Sequence, residues 1–89
     1  MLNKYLVEFV GTTFFLYVIM ATGNALAIGA ALAIAVMLGG KISGGNYNPA
    51  VSVMMVAAGK LPKSDLLPYI IAQVLGGLTA LELSKKIKL

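Results

Sequence analysis

The stretch Ser43-Gly44-Gly45-Asn46-Tyr47-Asn48-Pro49-Ala50-Val51-Ser52 constrains this chain most, because it starts a helix in the middle of an otherwise apolar sequence. Asn is a favoured N-cap: its side-chain oxygen accepts from one of the first free backbone N–H groups of a helix. Proline suits the first helical position, where no N–H is needed and its fixed φ is already helical. Asn48-Pro49 therefore reads as a helix start, and Gly44-Gly45 permit the backbone angles of a tight approach. With its oxygen used in capping, the Asn48 side chain keeps an NH2 group to point elsewhere. Gly59 and Lys60 close the segment. At about 1.5 Å per residue, Pro49 to Gly59 is roughly 16 Å long, half of a ~30 Å hydrocarbon core. It cannot cross a bilayer. Either it is re-entrant, its loop buried in protein or lining water, or it is a short interfacial or core helix with a routine cap.

Composition bears on that choice. Hydrophobic residues make up 60% of the chain and charged residues 11%, too apolar for a soluble surface of this size. The absence of Cys and His removes disulfides, thiol chemistry, imidazole bases and most transition-metal sites. Three acidic residues leave little for carboxylate catalysis, so an enzyme is not expected, nor a cofactor or metal. The seven lysines are scattered, with no aromatic interleaving, and read as charge flanking a membrane rather than a nucleic-acid patch.

The expected class is an all-α membrane protein with three spans and one half-span in a single domain, 1–89. Residues 5–22 carry one charge, Glu8, and read as a first spanning helix, with a signal peptide as the competing reading. Thr22-Gly23-Asn24 is a turn short enough to force an antiparallel hairpin. The second helix, 25–40, carries two rows of small residues four apart, Ala25-Gly29-Ala33 and Ala27-Ala31-Ala35-Gly39. Such rows permit close helix contact in lipid. The half-helix at 49–59 follows, then Ser64 or Asp65 as a cap for the third span, 66–83. That span tolerates Pro68 in its first turn and shows the small row Ala72-Gly76-Ala80.

Three motifs in order resemble the aquaporin (major intrinsic protein) family. Ser43-Gly44-x-x-x-Asn48-Pro49-Ala50-Val51-Ser52 is similar to its signature in the first-half form. Val7-Glu8-Phe9-Val10-Gly11-Thr12 resembles the first-helix Ala-Glu-Phe-x-Gly-Thr, and Tyr69-Ile70-Ile71-Ala72-Gln73-Val74-Leu75-Gly76-Gly77 the third-helix Tyr-x-x-Ala-Gln-x-x-Gly-Ala. The match covers one half of the family's usual two-repeat chain. It implies a passive channel for water or small neutral solutes such as glycerol. In such a channel Asn48, Pro49 and Ala50 form the pore motif, and Gly44, Gly45 and Asn46 present carbonyls to the solute. Glu8 then accepts hydrogen bonds from the buried loop. Read locally instead, Glu8 pairs with Lys4 at i, i+4. Gln73 has the same choice between supporting the loop and bonding a neighbouring helix.

The chain also departs from the family pattern. Asn46 stands where the first-half motif usually has His, and Ser52 where it has Thr. The second-half motif carries an Arg after Asn-Pro-Ala; here that place is Val51, and the chain has no Arg. The bulky aromatic of the family's outer filter falls on Ile28. Apolar Ile28 and Val51 at the mouths put strict water selectivity in doubt and make glycerol, ammonia and other small neutral solutes plausible.

Lys4, Lys41, Lys60 and Lys63 fall on one side of a three-span chain, and Lys85, Lys86 and Lys88 on the other. This near balance suits insertion in both orientations, and hence a homo-oligomer, an antiparallel dimer in lipid that supplies both repeats of one pore. A single fixed orientation remains the simpler alternative. Two other classes compete with the channel: a dual-topology, proton-coupled transporter using Glu8, and a non-conducting half that docks on a full-length channel.

Overall fold

The computed structural model describes residues 3–88, and the helices it contains are α1 (Lys4–Thr22), α2 (Ala25–Ser43), α3 (Pro49–Ala57) and α4 (Leu66–Lys86). A single 3-10 turn, Lys63–Asp65, leads into α4. The caps set these bounds. Asn3 opens α1 by accepting from the Tyr5 N–H at 2.7 Å, and Asn24 opens α2 by accepting from the Ala27 N–H at 3.0 Å. Gly23, at φ +55°, ends α1, so the α1–α2 turn consists of one residue that closes a helix and one that opens the next.

Three bounds differ from expectation. The second helix runs on to Ser43, because Gly39 and Gly40 keep helical geometry and it is Gly44, at φ +91°, that turns the chain. The short helix stops at Ala57, followed by Ala58 and by Gly59 at φ +75°. The last helix continues to Lys86, its final turns carrying Ser84 bonded back to the Leu81 carbonyl and Lys85 paired with Glu82. Asp65 does not cap α4: its backbone is helical and its carboxylate turns away to Lys4 and Tyr5.

The three long helices are long and apolar enough to cross a membrane. At about 1.5 Å per residue they measure roughly 28–31 Å, the thickness of a hydrocarbon core. At the same rise α3 reaches only about 14 Å.

Helix α1 packs against both α2 and α4, and α3 packs on α4. The contacts are built from small and polar residues, while large aliphatics such as Leu26, Met37, Leu38 and Leu67 face outward. This is the arrangement lipid favours, since apolar side chains gain little by leaving it and close packing needs small ones. On α4 the row Ala72-Gly76-Ala80 is buried, and a Cβ on Gly76 would stand 2.9 Å from the Phe9 carbonyl oxygen. Of the two rows on α2, Ala31, Ala35 and Gly39 are buried, whereas Ala25, Gly29 and Ala33 are exposed.

Candidate functional site

Between α2 and α3 the chain leaves helical geometry for residues 44–48 and turns back among the helices. Glu8, fully buried on the second turn of α1, is its anchor. One carboxylate oxygen accepts from the Asn46 N–H at 3.0 Å and the Ser43 hydroxyl at 2.7 Å; the other accepts from the Tyr47 N–H at 2.7 Å and Gln73 Nε2 at 2.9 Å. A carboxylate taken out of water is tolerable only with its lone pairs satisfied, and four donors do that here without a cation. Lys4 instead bonds Asp65, whose other oxygen accepts from the Tyr5 hydroxyl at 2.6 Å. The local Lys4–Glu8 pairing is therefore not made.

Gln73 on α4 bonds two other helices at once. Its NH2 group donates to Glu8 on α1 and, at 2.8 Å, to Ser52 Oγ on α3. Ser52, fully buried, also accepts from Asn46 Nδ2 at 2.9 Å. Asn46 thus ties the loop to the first turn of α3. The Gln73 carbonyl oxygen and the Thr12 hydroxyl are buried without a partner among the described residues. At the end of α2, the Tyr69 hydroxyl donates to the Ser43 carbonyl at 2.6 Å.

Tyr47 adopts φ +56°, the only positive φ outside glycine among the described residues. The left-handed region costs a residue with a side chain about 1–3 kcal/mol and persists only where its surroundings over-determine it. Its backbone N–H is held by Glu8, its ring is buried between α1 and α2, and its hydroxyl donates to the Ala35 carbonyl at 2.6 Å.

Asn48 follows in extended geometry, φ −158°, and caps α3 by accepting from the Ala50 N–H at 2.8 Å. The side chain is exposed, and its NH2 group meets no acceptor among the described residues. Pro49 and Ala50 are exposed beside it and Val51 is half-buried. No donor among the described residues bonds the carbonyl oxygens of Gly44, Gly45 or Asn46. Gly44 is exposed, Gly45 half-buried and Asn46 buried. Ile28 is half-buried on the first turns of α2. It lies about 22 Å along that helix, at 1.5 Å per residue, from Ser43, where the loop departs.

Tyr47, the side chains of Ser43 and Ser52, and the Asp65 carboxylate beyond a cap have partners that the sequence alone does not mark. Each acts across helices. The one signal for Tyr47 was the presence of Gly11 and Gly39, whose missing side chains make room for its ring.

Three apolar spans with a capped half-helix turned in among them define an integral, multi-pass, all-α membrane protein of aquaporin type. The family model described as Major intrinsic protein matches residues 1–88, and the chain belongs to that family, one of membrane channels rather than enzymes. It is 44% identical over 96 residues to an aquaporin Z of Brucella melitensis biotype 1, covering 90% of this chain and 42% of that protein. It is 39% identical over 88 residues to a glycerol uptake facilitator protein-like 6 of Lactiplantibacillus plantarum, covering 89% and 41%. An aquaporin Z of Rhodopseudomonas palustris is 38% identical over 93 residues, covering 88% and 39%. The chain thus spans about two fifths of the length of the curated relatives it matches. No solved structure matches it.

Proposed function

We propose that the chain is a single aquaporin-like half-repeat and that two inverted copies assemble a passive channel for water, small neutral solutes such as glycerol, or both. One observation carries this reading. An exposed Asn48, its oxygen spent on its own helix and its NH2 group without an acceptor among the described residues, stands at the head of a half-helix that follows three carbonyls no described donor bonds. A solute oxygen can accept from the amide while its hydrogens find the carbonyls of Gly44, Gly45 and Asn46, so hydration is exchanged rather than lost. The N-terminus of α3 carries about half a positive charge from the helix dipole. Two such ends facing each other oppose protons and other cations.

Glu8 and Gln73 act in this reading as loop supports. All the acceptor capacity of Glu8 is taken by four donors and none of its surface is open, which favours a fixed structural acceptor over a mobile carrier. Ile28 and Val51, remote along one chain, become neighbours only between inverted copies, where they form an apolar constriction without a cation. Such a filter would pass glycerol or ammonia as well as water. The balance of lysines on the two sides supports insertion in both orientations.

The test is stopped-flow light scattering on proteoliposomes of the purified chain, under an osmotic step and then a glycerol gradient. Flux well above empty vesicles, lost on Asn48→Asp, is the expected result. Flux no faster than bare lipid would sink the two-copy pore. The share of its relatives' length that the chain covers would then favour a second reading, a half-channel completed by a different polypeptide.

A further inference from the structure

We propose that Tyr47 is a positioning residue: its seat between α1 and α2 sets the depth and rotation of the adjacent Asn48 amide, and so the selectivity of the pore. The inference rests on the channel reading for its consequence, but not for its geometry.

Residues 46 and 47 are pulled in opposite directions. Asn46 reaches α3 and, through the shared Ser52 hydroxyl, α4. Tyr47 reaches α2 through its hydroxyl and α1 through its backbone N–H. Asn48 is the next residue, so its position is fixed by these two anchorages rather than by contacts of its own beyond the cap. The seat is shaped for one ring orientation. A Cβ on Gly11 would land on the ring carbons of Tyr47, and one on Gly39 on its hydroxyl oxygen. Nearby, an apolar groove of about 440 Å³ between α1 and α2 opens outward, lined by Leu6, Val10, Phe14, Ile34, Leu38 and Ile42. Tyr47 stays buried while contributing to the inner wall of this groove, and its bond to the Ala35 carbonyl holds the ring there.

Two measurements on Tyr47→Phe and Tyr47→Leu test this. The first is backbone amide exchange by NMR in detergent micelles. Loss of one ordinary hydrogen bond should speed exchange at Asn46 and residue 47 by about five- to tenfold in the Phe variant, and further in the Leu variant. Amides in the middle of α1 and α4 should not change. Unchanged exchange at 46 and 47 would overturn the proposal. The second measurement is the water-to-glycerol permeability ratio and the temperature dependence of water flux. A residue that merely helps folding would lower flux with both quantities constant. A positioning residue shifts the ratio and steepens the temperature dependence, in the order wild type, Phe, Leu. Wild-type flux with an invariant ratio across the three would overturn the role in selectivity. If wild-type vesicles show no flux, the channel reading has failed, and exchange alone decides whether Tyr47 positions Asn48.

Discussion

Gln73 Nε2 lies 2.9 Å from Glu8 Oε1, joining α4 to α1 where the loop turns in, between residues 65 apart in sequence. Glu8→Gln exchanges one acceptor oxygen for a donor, and on either oxygen that donor meets a backbone N–H that can only donate. At about 1–3 kcal/mol for each buried group left unpaired, the variant should lose roughly 2–4 kcal/mol. Gln73→Leu should cost less, because it also removes the unpartnered Gln73 oxygen and leaves Glu8 three donors. Equilibrium unfolding in mixed detergent micelles gives the order; equal losses would mean the four donors are not what holds Glu8.

Asp65 fastens the connection between α3 and α4 to the start of α1 through Lys4 and Tyr5. Tyr5 also meets Tyr69 edge-on, ring centroids 5.8 Å apart. Lys4→Met leaves Asp65 only the Tyr5 hydroxyl, so the exposed connection should open more often. Trypsin cleavage after Lys60 and Lys63 should accelerate severalfold while the spans stay intact. Unaltered cleavage kinetics would show that the pairing does not restrain this connection.

Gly76 and Gly29 should respond oppositely to alanine. A Cβ on Gly76 meets the Phe9 carbonyl and Thr12, so Gly76→Ala must push α1 and α4 apart, at about 1–3 kcal/mol. A Cβ on Gly29 meets nothing within 4 Å. Gly29→Ala should instead stabilise α2 by roughly 0.5–1 kcal/mol through the reduced freedom of the unfolded chain. Thermal unfolding in one detergent compares them directly.

Gly11 and Tyr47 should couple. The three atoms nearest a Cβ on Gly11 all belong to the Tyr47 ring. Gly11→Ala should therefore be severe in the native chain and mild once Tyr47→Leu has removed the ring. A double-mutant cycle on stability is expected to give an interaction of about 1–3 kcal/mol, within the range found for residues in contact. Additive effects would place the ring elsewhere.

Several features that depend on neighbours within a helical turn could be read before the fold was known. Asn48 as a cap, Pro49 as a first helical residue and the turn at Thr22-Gly23-Asn24 rest on residues two to four apart, and the three spans on their apolar length. The motifs also pointed to the family, since Glu8, the Asn48 segment and Gln73 stand in its order. What the sequence left open was which way each helix turns. Two small-residue rows on α2 were equivalent on paper, and rotation of α2 against α1 buried only one of them. Glu8 had a plausible partner four residues away in Lys4, and Asp65 a plausible cap to make. Tertiary packing sent Lys4 to Asp65 and brought Glu8 donors from 35 to 65 residues away. Tyr47 could not be singled out for the same reason: its seat is an absence of side chains on two other helices, and only their packing turns that absence into a slot.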